Sequence, residues 1–236
     1  MVLPGMIDMH VHIESESNPK TYINRYVQNE ADIAFESTVY AENTLMVGFT
    51  TVRDLGGTGV NIALRNAINK GLVDGPRIFT AGNSIATTGG HADPTNGMKQ
   101  VLMGDTGPKE GVVNSPEDGK KAVRQRYKDG ADVIKITATG SNPQFTVEEI
   151  KAITDTAKDY GMLTAAHAHG DEGMQRAILG GIKTIKHGTL MSDATMDMMV
   201  KYNSYLVPTI IAGKQVVEKA AIPGYFPEVV AQKGKK

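Results

Sequence analysis

The fold of this chain is decided by its first apolar run, Pro4-Gly5-Met6-Ile7-Asp8-Met9-His10-Val11-His12. Alternate residues of a β-strand point to the same face, so a strand over residues 5–11 places both imidazoles on one side. Histidine is the commonest metal-ligating side chain. The run therefore predicts a rigid element that carries two metal ligands, His10 and His12, at its carboxyl end.

Three of the other histidines occupy equivalent positions. His167 and His169 follow the apolar run at 163–166, and His187 follows the run at 182–186. A histidine that only fills the core would be expected to occur singly and at no fixed position relative to the apolar runs. Here the histidines repeatedly occur where an apolar run ends. Because the chain has no cysteine, any metal ligand must be a nitrogen or oxygen atom of His, Asp, Glu or a modified Lys. The repeat predicts a metal site.

Short apolar runs alternate with segments of helical period from end to end, which is typical of parallel strands joined by helical crossovers. Ser115 before Pro116 predicts one helix start, and the capping box of Thr146 with Glu149 predicts another. The predicted strands lie at about residues 5–11, 49–54, 77–84, 132–138, 162–167, 182–187 and 204–208.

The candidate ligands end at least four of these strands. A TIM-like (β/α) barrel brings all of its strand ends together, whereas a doubly wound open sheet spreads them apart. We therefore predict an α/β fold in which residues 1–236 form one TIM-like (β/α) barrel domain, with the open sheet as the competing architecture.

The composition is typical of a soluble globular protein, with 236 residues of which 40% are hydrophobic and 22% are charged. The formal net charge of -1 predicts no general attraction to nucleic acid or to an anionic membrane. No apolar stretch approaches the roughly 18–20 residues that span a bilayer, and no basic region precedes an apolar segment at the N-terminus. We expect a cytoplasmic protein that acts on a small molecule.

A lysine in the middle of an apolar strand is a further candidate. Lys135 is flanked by Val133, Ile134 and Ile136, so at least part of its side chain is expected to be buried. Desolvation lowers the pKa of a lysine and exposes the nucleophilic neutral amine. Such an amine can capture carbon dioxide, and the resulting carbamate is an anionic oxygen ligand that is able to bridge two metal ions.

The stretch from about residue 86 to residue 114 is rich in Gly, Thr, Asn and Pro and is too long for a simple connection. It contains His91 and Asp93, for which contact with a substrate is favoured over loop-stabilising hydrogen bonds. Arg53 and Asp54 are expected either to bind substrate or to form an ion pair that holds the barrel end. The lysine-rich residues 233–236 predict a frayed tail.

Taken together, six segments resemble the amidohydrolase superfamily, and at finer scale its branch of Xaa-Pro dipeptidase-like and zinc-dependent arginine-carboxypeptidase-like enzymes. The resemblance extends over nearly the whole chain. The segments are PGMIDMHVH (4–12), GFTTVRDLGG (48–57), GPRIFTAGNSIATTGGHADP (75–94), GADVIKITATG (130–140), AAHAHG (165–170) and IKHGT (185–189).

The resemblance implies a site with two divalent metal ions, with zinc as the expected metal. His10 and His12 would bind one ion, His167 and His187 would bind the other, and a carboxylated Lys135 would bridge them. His167 is chosen over His169 as the ligand because it directly ends the strand. Two further histidines, His169 and His91, are left for catalysis or substrate contact, with Asp93 as another substrate contact.

The chain also departs from the family. Relatives carry an aspartate within a Gly-Thr-Asp run at the end of the eighth strand, which binds metal and accepts a proton from water, and this sequence contains no such run. The small β-domain of relatives has no counterpart here, and the loop at 139–145 is shorter than theirs. We therefore expect an incomplete barrel that lacks its last unit.

Three functions remain open from the sequence. The leading prediction is hydrolysis of a C-N bond in a dipeptide, or of the C-terminal residue of a short peptide, with Xaa-Pro or Xaa-Arg/Lys substrates. The alternative is a single-metal cyclic-amide hydrolase or deaminase, which metal stoichiometry would distinguish. The third is an inactive fragment, or a subunit that pairs with complementary segments, whose exposed strand edge would favour a homo-oligomer.

Overall fold

The computed structural model describes residues 2–138 and 142–226, together with residue 228. The strands are β1 (Met6–Val11), β2 (Phe49–Asp54), β3 (Arg77–Thr80), β4 (Val133–Thr137), β5 (Leu163–Ala168), β6 (Thr184–His187) and β7 (Tyr205–Val207). The helices are α1 (Thr21–Val27), α2 (Glu30–Met46), α3 (Val60–Asn69), α4 (Pro116–Asp129), α5 (Val147–Asp159), α6 (Asp171–Leu179), α7 (Asp193–Tyr202) and α8 (Ile210–Ala220). The predicted tail at residues 233–236 and part of the predicted short loop, residues 139–141, lie outside the described residues.

The strands form a curved, parallel arrangement in chain order. One sheet has the order β1-β2-β3 and the other the order β4-β5-β6-β7. The segment after β3 joins them, because Ile85 N donates to Lys135 O at 2.8 Å and Thr137 N donates to Ile85 O at 2.9 Å. The result is one continuous arc of parallel strands, whose carboxyl ends lie on the same side.

The arc does not close. Within the part of the chain that the structure describes, β1 pairs with β2 alone and β7 pairs with β6 alone. Apolar side chains beside these two edges are exposed: Ile7 (61%) and Met9 (41%) on β1, and Tyr205 (60%) and Leu206 (42%) on β7. The prediction of an incomplete α/β barrel is confirmed.

Alternation along the strands separates an outer core from the barrel interior. Ile134 and Ile136 of β4 belong to the largest buried cluster, together with Ile150 and Ile153 of α5. Because side chains of a strand alternate between its faces, Lys135 lies on the opposite, inner face. The same alternation turns His167 of β5 and Lys186 of β6 inward, whereas His187 is out of phase and has a left-handed backbone (φ 72°).

The predicted strands agree with the observed ones except at their ends, and β3 differs most. It ends at Thr80 instead of continuing to residue 84. Gly82 has a left-handed backbone (φ 61°), which interrupts the hydrogen-bonded ladder before Ile85 rejoins the sheet. The predicted caps are present: Ser115 Oγ accepts from Asp118 N at 3.1 Å, and Thr146 and Glu149 form the capping box.

Helix α3 receives its N-terminal cap from a distant residue. Its own N-cap, Gly59, has no side chain to offer. Instead the buried carboxylate of Glu14 accepts hydrogen bonds from Thr58 N and Asn61 N, both at 2.6 Å. A carboxylate at this position satisfies free N–H groups and interacts favourably with the helix dipole. Glu14 thereby attaches the segment after β1 to the helix after β2.

We expect Glu14→Gln to lower the free energy of unfolding by about 1–3 kcal/mol, because the amide has one acceptor oxygen and turns an NH₂ group towards a backbone N–H. Urea unfolding followed by circular dichroism measures the effect. The matched control is Glu16→Gln, since Glu16 is exposed and its replacement should change little. Equal stability of Glu14→Gln and the parent would contradict the assignment of this cap.

Candidate metal centre

The histidines at the strand ends converge on one point of the barrel mouth. The ring centroids of His10 and His12 lie 5.2 Å apart, and those of His10 and His187 lie 5.1 Å apart. The rings of His167 and His187 are 4.4 Å apart. Side chains from β1, β5 and β6, which are distant in sequence, therefore meet as the barrel geometry predicts.

Lys135 lies inside the barrel beneath these rings. The residue is 3% exposed, and its Nζ donates to Leu55 O at 3.3 Å. Burial lowers the pKa of the Lys135 amine to about 7. Its charge also lowers the pKa of both His10 and His12, which places the amine within electrostatic reach of the predicted first pair of ligands.

The rings of the centre are held in the neutral form. Burial lowers the pKa of His187 to about 3 and that of His12 to about 4. Desolvation also lowers the pKa of the remaining rings of the cluster, His10, His167 and His169. Neutral imidazole is the species that binds metal, so these rings are prepared for coordination near pH 7.

Hydrogen bonding assigns the proton on His12. Its Nδ1 lies 2.8 Å from Gly56 O, and a carbonyl oxygen only accepts, so Nδ1 carries the proton and donates. The lone pair is consequently on Nε2, which lies 3.3 Å from His10 Nε2. The two residues of the HxH segment thus bring one ring nitrogen each to a common point, as their spacing predicts.

A second group of ring nitrogens lies on the other side of the centre. Ligand atoms of His167, His169 and His187 all lie within 4.8 Å of one another. His169 Nδ1 is 2.8 Å from Thr189 Oγ1. The geometry therefore brings His169 into the cluster as well. The role that the sequence assigns to His169, in catalysis or substrate contact, stays a prediction.

The donor set fits a metal ion. Within the described residues, three buried ring nitrogens have no hydrogen-bond partner: His10 Nδ1, His167 Nε2 and His187 Nε2. Buried polar atoms are nearly always paired, so unpartnered nitrogens on three rings of the same cluster call for an explanation. An imidazole-rich set with a lysine amine and no thiolate suits zinc and related divalent ions.

The loop after β3 places His91 against the centre and keeps Asp93 within the loop. The rings of His91 and His167 stack at 4.1 Å with an angle of 13°. The buried carboxylate of Asp93 accepts from Gly89 N at 2.7 Å, and from Thr95 N at 2.8 Å and Thr95 Oγ1 at 2.7 Å. These are the loop-stabilising bonds that the sequence left as the second possibility, and substrate contact by Asp93 stays a prediction.

Arg53 and Asp54 hold the barrel end through backbone groups. Arg53 Nε donates to Met9 O at 3.0 Å, which joins β2 to β1. Asp54 Oδ1 accepts from Gly56 N at 3.2 Å. Neighbouring residues of a strand face opposite ways, and accordingly the contacts of the described residues include no ion pair between these two side chains.

Sequence reasoning missed Lys186. This residue is fully buried, and within the described residues its Nζ has no hydrogen-bond partner. Burial lowers its pKa to about 6, with Arg53 and Lys135 acting in the same direction. The signal was available, because Lys186 sits in an apolar strand just as Lys135 does, yet it was not singled out.

Two cavities border the centre. The larger, of about 560 Å³, extends from His12 and His91 towards α1 and α2. The smaller, of about 270 Å³, lies at the ends of β6 and β7 beside His169 and His187. Both open directly onto the histidine cluster, so a small ligand has access to it from two sides.

Comparison with known proteins agrees with this fold. Residues 1–223 match the amidohydrolase family, and the chain therefore belongs to that family. In its structure it is similar to a Xaa-Pro dipeptidase with bound methionine in the active site (TM-score 0.94, 50% identity, 99% of this chain and 60% of that chain). It is also similar to a prolidase complexed with N-methylphosphonate-L-proline (TM-score 0.87, 33% identity, 98% of this chain and 59% of that chain).

Among curated proteins, the chain is similar to ochratoxinase of Aspergillus niger, with 29% identity over an alignment of 233 residues that covers 89% of this chain and 48% of that protein. The chain thus spans about half the length of the curated relatives it matches. In the part of the chain that the structure describes, none of the helices combines the length and apolar character that crossing a membrane requires.

Proposed function

We propose that this chain forms the metal-binding part of a metal-dependent amidohydrolase that cleaves a C-N bond in a small peptide. The observation that carries the proposal is the convergence of neutral histidine rings near a buried lysine at the barrel mouth. Three of these rings have a buried nitrogen that has no hydrogen-bond partner within the described residues. Membership of the amidohydrolase family supports hydrolysis of amide bonds.

Each residue of the centre has a proposed role. His10 and His12 would hold one divalent ion, and His167 and His187 would hold a second, with zinc as the expected metal. Lys135 would bridge the two ions after carboxylation. When bound, the ions would supply Lewis-acid chemistry by polarising the scissile carbonyl and making water acidic near neutral pH.

The environment of Lys135 supports its carboxylation. Its amine nitrogen would form a bond to the carbon of carbon dioxide and release one proton, which leaves a carbamate anion. The reaction requires the neutral amine, and burial supplies it by bringing the pKa to about 7. The electrostatic reach of Lys135 to rings on both sides of the centre supports a bridging position.

The proposed substrate is a dipeptide or short peptide of the Xaa-Pro or Xaa-Arg/Lys type. The similarity to a Xaa-Pro dipeptidase and to a prolidase supports this class. The larger cavity is of a size that suits a small ligand. His169 and His91 border the cavities beside the centre and would contact the carbonyl oxygen or the carboxylate of the substrate.

The cluster of His167, His169 and His187 favours a second candidate function. Three nitrogen ligands plus one open position are a common arrangement for a single catalytic zinc ion. This geometry supports a single-metal cyclic-amide hydrolase or deaminase. Metal stoichiometry separates the two candidates, because the first needs two ions per chain and the second needs one.

Replacement of Lys135 tests the two-metal proposal. We expect Lys135→Ala to lose one of two bound ions, and to regain it when a short carboxylic acid fills the space left by the side chain. Elemental analysis of folded protein prepared with zinc and bicarbonate measures both effects. Lys183→Ala is the matched control, since Lys183 is exposed and should leave the metal content unchanged.

Two results would contradict this proposal. One is high-resolution density that shows an unmodified Lys135 amine far from any metal in protein prepared with bicarbonate. The other is a parent protein that binds a single zinc ion and whose stoichiometry is the same after Lys135→Ala, which would favour the single-metal alternative.

A further inference from the structure

His187 and Thr209 both adopt a left-handed backbone directly at or after the ends of neighbouring strands. The φ angle is 72° at His187 and 49° at Thr209. Such angles are uncommon for residues other than glycine, and a β-branched residue there is a clear outlier. Strained backbone of this kind persists where the surrounding structure holds it, and it is concentrated at functional sites.

The two strained residues are joined by a hydrogen bond. His187 Nδ1 lies 2.7 Å from Thr209 Oγ1, and the same hydroxyl donates to Pro208 O at 2.8 Å. A hydroxyl has a single proton. Because the hydroxyl donates its hydrogen to the Pro208 carbonyl, the threonine oxygen accepts the hydrogen bond from His187, so His187 carries its proton on Nδ1.

The lone pair of His187 is consequently on Nε2. This atom is buried and has no hydrogen-bond partner within the described residues. The ring it belongs to faces the rings of His10 and His167. Metal-ligating histidines almost always donate their other ring N–H to an oxygen atom, which sets the tautomer and the orientation of the ring.

We propose that Thr209 is a positioning residue, which holds His187 in the Nδ1–H tautomer with Nε2 presented to the metal centre. The role in metal binding rests on the proposed function, whereas the tautomer does not depend on it. Thr209 and His187 both line the 270 Å³ cavity. On this side the ring borders open space, and the hydrogen bond to Thr209 fixes its orientation there.

The choice of a threonine supports this role. Glycine would adopt the left-handed backbone at lower cost, but it has no side-chain oxygen to accept a hydrogen bond. A hydroxyl two residues after the end of β7 can accept a hydrogen bond from the ring at the end of β6 while it donates its own hydrogen to the preceding carbonyl. The arrangement links the ends of two adjacent strands through one side chain.

Two substitutions at this position separate hydrogen bonding from shape. Thr209→Val keeps the branched shape and removes the hydroxyl, and we expect zinc affinity to fall about 10–100-fold, as for loss of other outer-shell partners. Thr209→Ser keeps the hydroxyl and should bind zinc nearly as tightly as the parent. Competition with a chromogenic zinc chelator measures the affinities, and circular dichroism verifies that each variant is folded.

The tautomer is measured separately in the metal-free protein. Long-range ¹H–¹⁵N correlation spectra of ¹⁵N-histidine-labelled parent should show His187 with its proton on Nδ1. Thr209→Val should shift His187 towards Nε2–H. The control Thr189→Val, which removes the hydroxyl partner of His169, should leave the His187 tautomer unchanged.

Three results would overturn the inference: Nε2–H on His187 in the folded parent, zinc affinity of Thr209→Val equal to that of the parent, or zinc affinity of Thr209→Ser as weak as that of Thr209→Val. If His187 shows the Nδ1–H form and loses it in Thr209→Val, but the parent binds no zinc, the positioning of the ring is upheld and the proposed metal-dependent function is the part that fails.

Discussion

Replacing the first pair of histidines is expected to remove the metal bound by β1. The double variant His10→Ala with His12→Ala loses two ring nitrogens that meet at 3.3 Å. Zinc affinity should therefore fall by more than the roughly 10–100-fold that follows loss of an outer-shell partner. Equilibrium dialysis followed by elemental analysis gives the stoichiometry and the affinity of both ions.

The control for this experiment is His91→Ala. His91 stacks on His167 from the loop after β3 and is assigned to substrate contact, so its removal should leave the metal content close to that of the parent. If the double variant is folded and carries as much zinc as the parent, the first strand does not supply ligands, and the proposed two-ion centre is wrong.

The second large effect concerns the open edge between β1 and β7. Because β1 and β7 are unpaired edges of an open arc, we expect the 236-residue chain by itself to hydrolyse dipeptides poorly. A chimera that adds the part of the 50% identical Xaa-Pro dipeptidase that this chain does not cover is expected to be active. The chimera would supply the strand-end aspartate that accepts a proton from water in the family, and such general base assistance is typically worth about 10²- to 10⁴-fold in rate. Displacement of ligands by about 1 Å in an open barrel can cost a further 10²-fold.

A panel of Xaa-Pro, Xaa-Arg and Xaa-Lys dipeptides, assayed by release of the free amino acid, measures this difference. The matched control is the same chimera with the grafted strand-end aspartate changed to asparagine, which restores the barrel without the base. Turnover by the 236-residue chain that equals that of the chimera would show that neither the base nor barrel closure is needed.

The difference between predicted and observed elements has a simple origin. Period-two alternation and caps such as Ser115 and Thr146 are local, so strands and helix starts were predictable within a few residues. The early end of β3 depends on the left-handed backbone at Gly82. A glycine permits that conformation without requiring it, and the sequence does not show which one is adopted.

The candidate site divides in the same way. The HxH spacing, the lysine in an apolar strand and the strand-end histidines identified the ligand candidates, because each is a pattern within one element. The lowered pKa values of His167 and His187 could not be predicted, since they arise from burial and from neighbouring groups on other elements. Lys186 carries the same local signal as Lys135, a lysine within an apolar strand, but the effect of Arg53 and Lys135 on its pKa appears only in the folded chain.

By itself the sequence determined the class of fold, the seven strands and the candidate metal ligands, because hydrophobic period, caps and ligand chemistry are properties of neighbouring residues. Only the tertiary structure decided that His169 joins the cluster, that Asp93 is occupied within its loop, that Glu14 caps α3 and that Thr209 sets the proton on His187. Each of these depends on a contact that exists only after the chain has folded, and the proton on His187 depends in addition on which group of a hydrogen-bonded pair donates.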